Sequence, residues 1–463
     1  MPGSFFGLTI GASGLAAAQL GQDVTGHNIA NSATPGYSEQ TASFQAGDPY
    51  TPPNEYTGSS VGMLGTGVVV GSITRSRNQF LDQQVRGATS QQSNESAQST
   101  ALTQMEDAFG EPSSTGLNAS LGTLFQSFNN LVNNPEDTGV RATVVQSADA
   151  LSREFQNVNS TLTGIGQQLT ANQTDDMNSL NSYGQQIANL NATIRSATTQ
   201  TQNANDLMDQ RDLLLDKLSS LANISVTNNS DGTVNVSIGT SQLVQGTDAS
   251  TLSLTGSNSL TARGDLTGGD LAGLAQSQTD LAGYQTDLNN LASTVISQVN
   301  SVHENGAGLD GSTGLQFFTG TDASNIAVNQ VLVNDPDKVA AAAVPAGGGV
   351  PAPGDASNAT LLGALENTQM TTGPLAGETM QGFYQASVSN LAGQEASAAS
   401  ALTTASSNVT QLTQQRDSVS GVSTDAEMVN MMKYQQAYTA SAKVVQTMND
   451  MLGTLITDLT SGN

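Results

Sequence analysis

Val144, Ala148, Leu151, Phe155, Val158, Leu162, Ile165 and Leu169 follow one another at alternating steps of four and three residues. That spacing holds an apolar seam on one side of an α-helix, whereas a strand would alternate side chains at every residue. Leu281, Tyr284, Leu288, Leu291, Val295 and Val302 keep the same register, with Gln298 filling one slot. So do Tyr384, Val388, Leu391, Ala398, Leu402, Ala405, Val409 and Leu412, with Glu395 as the exception. The plain meaning of each stripe is bundle core. Near the end of the chain Met431, Tyr434, Tyr438, Ser441, Val445, Met448, Leu452, Leu455 and Leu459 form a further seam. Gly421 and the Ser423, Thr424, Asp425 and Glu427 cluster mark its start, with acids in the first turn. An Ala/Gly-rich segment at the other end, carrying Leu8, Ile10, Leu15, Leu20, Val24 and Ile29, is its natural partner. Small residues let two backbones approach, and the larger side chains of the opposite helix fill the gap.

The run NIANSATPGYSEQ, residues 28–40, ends that first helix. Asn28 and Asn31 are the expected caps. Pro35 presets φ and Gly36 tolerates a positive φ, which predicts a type II turn leading into Tyr37 and a polar stretch. Period-two alternation is confined to a few places. Ile224–Val226 and Val234–Ile238 flank the turn signal Asn229–Gly232 and predict a β-hairpin. Short apolar pieces follow at Leu243–Val244 and Leu252–Leu254, and Val68–Ile73 forms a smaller strand region. The segment VPAGGGVPAPGD, residues 344–355, can continue neither a helix nor a central strand. The predicted fold class is therefore mainly α with a β-rich insertion, elongated and multi-domain. The expected organisation is nested: residues 1–32 with 421–463 as a terminal coiled-coil core, 33–222 with 278–304 and 377–420 as a helical shaft, and 223–277 with 305–376 as a β-rich outer region with the Pro/Gly linker.

Composition narrows the function. The 463 residues include 13 basic and 39 acidic ones, a net charge of -26. That balance argues against nucleic acid or an anionic membrane as partner, because phosphate binding relies on clustered Lys and Arg. Charged residues are only 11% of the chain, where soluble domains average about 25%. A surface built from Ser, Thr, Asn, Gln and Ala suits packing against copies of itself, since few charges have to be desolvated. Cysteine is absent, which removes disulfides, thiolate nucleophiles and zinc–cysteine sites. Ser4 to Gln22 is uncharged, with Ala16–Ala18 resembling a cleavage site, but the first basic residue is Arg75 and a positive n-region is missing. Interspersed Gly7, Gly11 and Gly14 also dilute the segment below the apolar content of a membrane span. An unprocessed N-terminus and no membrane insertion are expected.

Catalytic signals are weak. His27 and His303 are the two histidines, and neither has a second His or Cys at ligand spacing. An imidazole at a helix end, contacting the last carbonyls, accounts for each. GTGVVVG at Gly65–Gly71 matches neither GxGxxG nor a P-loop. Asp310–Ser312, and Asp265 with Asp270, lack the calcium-loop pattern. No catalytic residue, cofactor or metal site is expected.

Three segments carry a resemblance. GLAAAQLGQDVTGHNIANSATPGYSEQ, GTGVVVGSITRSRNQFLDQQVR and SGVSTDAEMVNMMKYQQAYTASAKVVQTMNDMLGTLITDL resemble, in that order, the signatures of the bacterial flagellar rod, hook and hook-associated axial protein family. LMDQRDLLLDKLSSLANISV, NSVHENGAGLDGSTGLQFFTG and YQQAYTASAKVV are similar to the hook-associated branch at the hook–filament junction. Glu39 departs from the basic or neutral residue usual before Gln40, and the short strand region implies a smaller outer domain than in long members. The resemblance implies a structural protein rather than an enzyme, exported by the flagellar type III apparatus from a transient cytoplasmic stage to the extracellular flagellum. There it would form a ring of roughly eleven copies between hook and filament. Its terminal helices would build the inner tube and be disordered in the monomer. Implied partners are itself, the hook protein, the next hook-associated protein and an export chaperone at the C-terminal helix. A hook or distal rod protein shares the terminal motifs and is the alternative, with a secreted effector or enzyme behind it.

Overall fold

A computed structural model describes residues 5–50, 63–200, 202–256, 259–347 and 349–461. The chain is mainly α-helical with small sheets. In order it forms α1 (Phe6–Asn31), β1 (Gln40–Ala46), β2 (Val68–Arg75), α2 (Gln79–Phe109), α3 (Leu117–Asn133), α4 (Thr138–Thr199) and α5 (Asn205–Leu221). Then come β3 (Ile224–Asn228), β4 (Val234–Ile238), β5 (Ser241–Gln245), β6 (Asp248–Ala249), α6 (Leu260–Arg263) and α7 (Asp270–His303). The two-residue strands β7 (Gly306–Ala307), β8 (Phe318–Thr319) and β9 (Ala327–Val328) precede α8 (Gln330–Asn334), β10 (Ala342–Ala343) and α9 (Ser357–Ala364). The chain closes with α10 (Met380–Ser420) and α11 (Thr424–Ser461).

The three central seams fall on α4, α7 and α10. On α4, which is 62 residues long, Val144, Ala148, Leu151, Phe155 and Leu162 are fully buried, while Ile165 is only half-buried. On α10 the seam starts buried at Tyr384 and Leu391 and is half-buried by Val409 and Leu412.

The described chain divides into two compact units. One contains Ser90–Asn178 and Thr267–Ser406. Its core is aromatic at the centre: Phe317 lies 5.6 Å from Phe128, 4.9 Å from Phe318 and 5.2 Å from His303, ring to ring. Among its described residues, segment 305–376 has little regular strand: the short pairs β7–β10 and β8–β9 and two isolated bridges, Ala307 with Thr313 and Met370 with Ala376. Buried polar side chains organise it instead. Asn300 Oδ1 accepts from the amides of Phe317 and Phe318, both at 2.8 Å, and its Nδ2 donates to Phe318 O. Arg141, 2% exposed, donates to the carbonyls of Pro135, Asp337 and Val339.

The other unit contains Met1–Thr89, Ser179–Leu266 and Ser407–Asn463. Here the predicted hairpin is β3–β4, antiparallel with Ile224 opposite Ile238, and it extends through β5 and β6 into a four-stranded sheet. Leu252–Leu254 forms no strand. Asn191 of α4 fixes the sheet: its Nδ2 donates to Val234 O and Gly246 O, and its Oδ1 accepts from Val234 N. Residues 223–266, the sheet included, fall in this unit with the chain termini, whereas residues 267–277 fall in the unit that holds 305–376. Within this unit the amide of Asn191 and the guanidinium of Arg211 tie the sheet to α4 and α5 through backbone carbonyls. Strand β1 is an addition to the expected elements. It pairs antiparallel with β2, Gln40 opposite Arg75, across a bulge at Ser43/Phe44.

Candidate assembly interface

α1 and α11 pack antiparallel along a seam of glycines. A Cβ placed on Gly7 would come within 2.6 Å of Met448, on Gly11 within 2.8 Å of Val445, on Gly14 within 2.8 Å of Ser441 and on Gly21 within 2.7 Å of Tyr434. Any of these side chains would have to shift, since real Cβ contacts lie farther apart. The buried residues of α1 are accordingly small or polar: Gly11, Ala17, Ala18, Gly21, Thr25 and Asn28. The strands β1 and β2 pack beside this pair. Ser13 Oγ accepts from Val68 N at 3.2 Å, and the rings of Phe44 and Tyr434 meet edge to face at 5.9 Å.

The large apolar residues of both helices remain partly uncovered. Leu8, Ile10, Leu15, Leu20, Val24 and Ile29 are half-buried. At 3.6 residues per turn, Leu8 and Leu15 flank the small-residue face on one side and Leu20 and Val24 on the other. On α11, Met431, Tyr434, Val445, Met448 and Leu452 are half-buried, whereas Tyr438 and Leu455 are exposed. The side chain of Leu459 lies outside the described residues. Sequence reading also passed over Met428, Val429, Met432, Met451 and Ile456, each more than half exposed on α11. They sit off the seam register, and only an excess of apolar residues over what one partner can cover marks them.

The helix-end motif does more than stop α1. Tyr37 N donates to Thr34 O at 3.2 Å with Gly36 at φ 82°, closing the turn around Pro35 and Gly36. Asn31 Nδ2 donates to His27 O at 3.1 Å, satisfying a carbonyl of the last turn. Asn28 does not cap the helix. Its Nδ2 donates to Gln40 O at 2.8 Å, its Oδ1 accepts from Gln40 N at 3.0 Å and also from Tyr37 Oη at 2.7 Å. The side chain thus stands in for a neighbouring strand at the start of β1. Ser38 and Gln40 then bind α5, through Asp209 and Asp206 respectively.

Two of the resembling segments meet in an ion-pair cluster. Arg75 Nη1 lies 2.8 Å from both Asp209 and Asp212. Arg77 holds Asp82 through two nitrogens at 3.0 and 3.1 Å. Arg86 and Arg416 converge on Asp216 at 2.8 and 2.7 Å. The guanidinium groups of Arg77, Arg75 and Arg86 outweigh burial and keep the Asp212 carboxyl below its ordinary range. Asp209, Asp212 and Asp216 at i, i+3 and i+7 of α5 were a visible signal, one acidic face, but their partners lie over a hundred residues away.

Neither histidine has catalytic surroundings. His27 Nε2 lies 3.3 Å from Asp206. His303 is buried, its Nδ1 donating to Leu315 O at 2.7 Å and its Nε2 accepting from Ala340 N at 2.9 Å, so it ties distant loops rather than its own helix end. Among the described residues no helix is long and apolar enough to cross a membrane.

Comparison with known proteins agrees with this arrangement. The family model for the flagellar hook-associated protein FlgK helical domain matches residues 102–318. The model for the flagellar basal body rod FlgEFG protein C-terminal region matches 413–458, and that for the flagella basal body rod protein matches 8–37. Flagellar hook-associated protein 1 of Bacillus subtilis is 30% identical, with 100% of both chains aligned. The proteins of that name from Salmonella typhimurium and Escherichia coli are 26% and 25% identical, each alignment taking in 96% of this chain and 98% of the relative. The solved flagellar hook junction protein FlgK from Burkholderia pseudomallei shares the fold at TM-score 0.62 and 18% identity, over 73% of this chain and 100% of that one. With rod-type matches at its two ends and a hook-associated match between them, the chain belongs to the flagellar hook-associated protein 1 family and is a structural component of the flagellum, not an enzyme.

Proposed function

We propose that the chain is the ring-forming adaptor that joins hook to filament, and that it assembles through the α1–α11 pair acting as a coiled coil of the inner tube. The observation that carries this reading is the unequal covering of α1. Its glycine and alanine face is closed by α11, while apolar residues flank that face on both sides and remain half-covered. A helix that is apolar on several sides is built to be buried on several sides. Exposed Met, Val, Leu and Ile on α11 extend the uncovered band, and contiguous apolar surface of this kind marks an association site. Neighbouring copies, together with the hook protein and the next hook-associated protein, are the proposed cover. Export through the flagellar type III system, with a chaperone shielding α11 beforehand, keeps that surface from associating early. The extracellular junction is the proposed location, and roughly eleven copies would close the ring through head-to-tail contacts.

Deletion of Ala426–Asn463 tests this. Cells carrying it should build hooks, shed filament subunits into the medium and fail to swim. Normal motility would overturn the reading, and loss of hooks altogether would place the chain earlier in the axial structure. Circular dichroism of the soluble monomer is the second measurement. Terminal helices that gain much of their stability from neighbours should show less helix in isolation.

A further inference from the structure

In a chain with 13 basic residues against 39 acidic ones, four arginines line a single cavity of about 410 Å3. Arg75, Arg77, Arg86 and Arg211 share its wall with only two carboxylates, Asp82 and Asp212. Three of the guanidinium groups have acidic partners, as described above. Among the described residues Arg211 has none in direct contact. Its Nη1 donates to Asn191 Oδ1 at 3.1 Å and to Gly232 O at 2.7 Å, both neutral acceptors. Its Nε is shielded from solvent and has no acceptor among the described residues; Arg86 Nη2 likewise makes no hydrogen bond, though it lies 3.5 Å from Asp212 Oδ1 in an ion pair. The two side chains are 5% and 7% exposed. Burial lowers the pKa of Arg211; the nearby Asp212 carboxylate opposes this and Arg75, Arg86 and Arg77 reinforce it, so its positive charge is only partly compensated where it stands.

A buried guanidinium without a counter-charge in contact is costly, and Asp212, which also serves Arg75 and Arg77, offsets it only in part. An anion entering the cavity would. Oxyanions suit arginine forks, which can donate two parallel hydrogen bonds to one acceptor group. The overall negative charge of the chain does not forbid this, because charges beyond about 8 Å are largely screened at physiological ionic strength. We propose that this cavity is a binding site for a small oxyanion of the phosphate class, held by Arg211 and Arg86 and bordered by Arg75 and Arg77. The bound anion would brace α2, α5 and the β3–β4 turn against one another.

The test uses the full chain titrated with inorganic phosphate at constant ionic strength, sodium chloride making up the balance. A saturable rise in melting temperature and broadening of the phosphate 31P resonance are expected, neither reproduced by chloride alone. Arg211→Met should abolish both. Gln79→Glu is the second variant: Gln79 is exposed at the rim and its Oε1 accepts from Asn228 Nδ2 at 3.1 Å, an acceptor that Glu retains. The added carboxylate should weaken phosphate binding about tenfold or more while the fold persists. Arg153→Gln, at an exposed site in the other unit, should change nothing. Equal effects of phosphate and chloride on the wild-type chain would overturn the proposal. So would wild-type phosphate binding by Gln79→Glu, whether or not Arg211→Met folds.

Discussion

Asn28 and Asn31 are the same residue type, one turn apart on α1, and the structure gives them unequal weight. Asn28 is 1% exposed and satisfies both backbone groups of Gln40, itself buried. Replacing it by Ala strands those two groups, each worth about 1–3 kcal/mol when left unmet. Asn28→Ala should therefore cost about 2–5 kcal/mol, whereas Asn31→Ala, losing solvent-exposed contacts with His27 and Thr34 whose groups water can satisfy, should cost about 1 kcal/mol or less. Urea denaturation of the two variants checks the ratio, and equal losses would mean that the motif works only as a helix stop. His303 gives a pH-dependent counterpart in the other unit. Burial is the main cause that lowers its pKa to about 4 from an ordinary 6.5. The folded chain thus refuses a proton that the unfolded chain accepts. The stability so gained is fully present above pH 6.5 and is lost as pH falls toward 4, on the order of 3 kcal/mol across that window. His303→Phe should be less stable than wild type at neutral pH, with the gap closing steadily below about pH 6.5 as only the wild type loses this contribution. A gap that stays constant down to pH 4.5 would show that the imidazole titrates freely in the fold.

At the scale of elements, the α1–α11 seam makes glycine a packing residue at some positions and a mere weakness at others. The Cβ of an alanine at Gly11 would meet Val445 Cγ2 at 2.8 Å with backbone behind it, while at Gly26 the nearest atom is Met431 Cε at 4.0 Å. Gly→Ala within a helix gains about 0.5–1 kcal/mol where space allows. Gly26→Ala should accordingly raise the melting temperature and Gly11→Ala lower it, a difference in sign that helix propensity alone cannot give. The bundle elements were legible in the sequence because each seam is local: one residue type recurring every turn or so is enough to specify a helix and its buried side. What sequence could not give was the attachment of the four-stranded sheet, since that rests on Asn191 and Arg211 reaching backbone carbonyls that carry no side-chain signature. Strand β1 was hidden too, because QTASFQA alternates poorly and is held by its pairing with β2 and by Asn28.

For the whole molecule, a net charge of -26 and an uncovered apolar band oppose one another. Like charges on separate copies repel over a Debye length, about 30 Å at 0.01 M salt but only about 8 Å at 0.15 M. Apolar association is not screened, and excluded salts such as sulfate strengthen it. The balance should tip with ionic strength, so that the chain is monomeric in dilute buffer and self-associates as salt rises. Sedimentation velocity across that range should show the weight-average coefficient increasing for the wild-type chain. Met432 and Leu455 are 54% and 53% exposed on α11, so Met432→Asp with Leu455→Asp should leave the monomer folded and hold the coefficient flat. If the double variant associates as readily as wild type, the uncovered faces of α1 and α11 are not what brings copies together. Thin charge on the remaining surface works in the same direction, because helices flanked by Ser, Thr, Gln and Asn bring few ions that must shed water when copies meet. Phosphate separates this from the arginine cavity: chloride should drive association by screening alone, whereas stabilisation through Arg211 should follow the oxyanion and not the ionic strength.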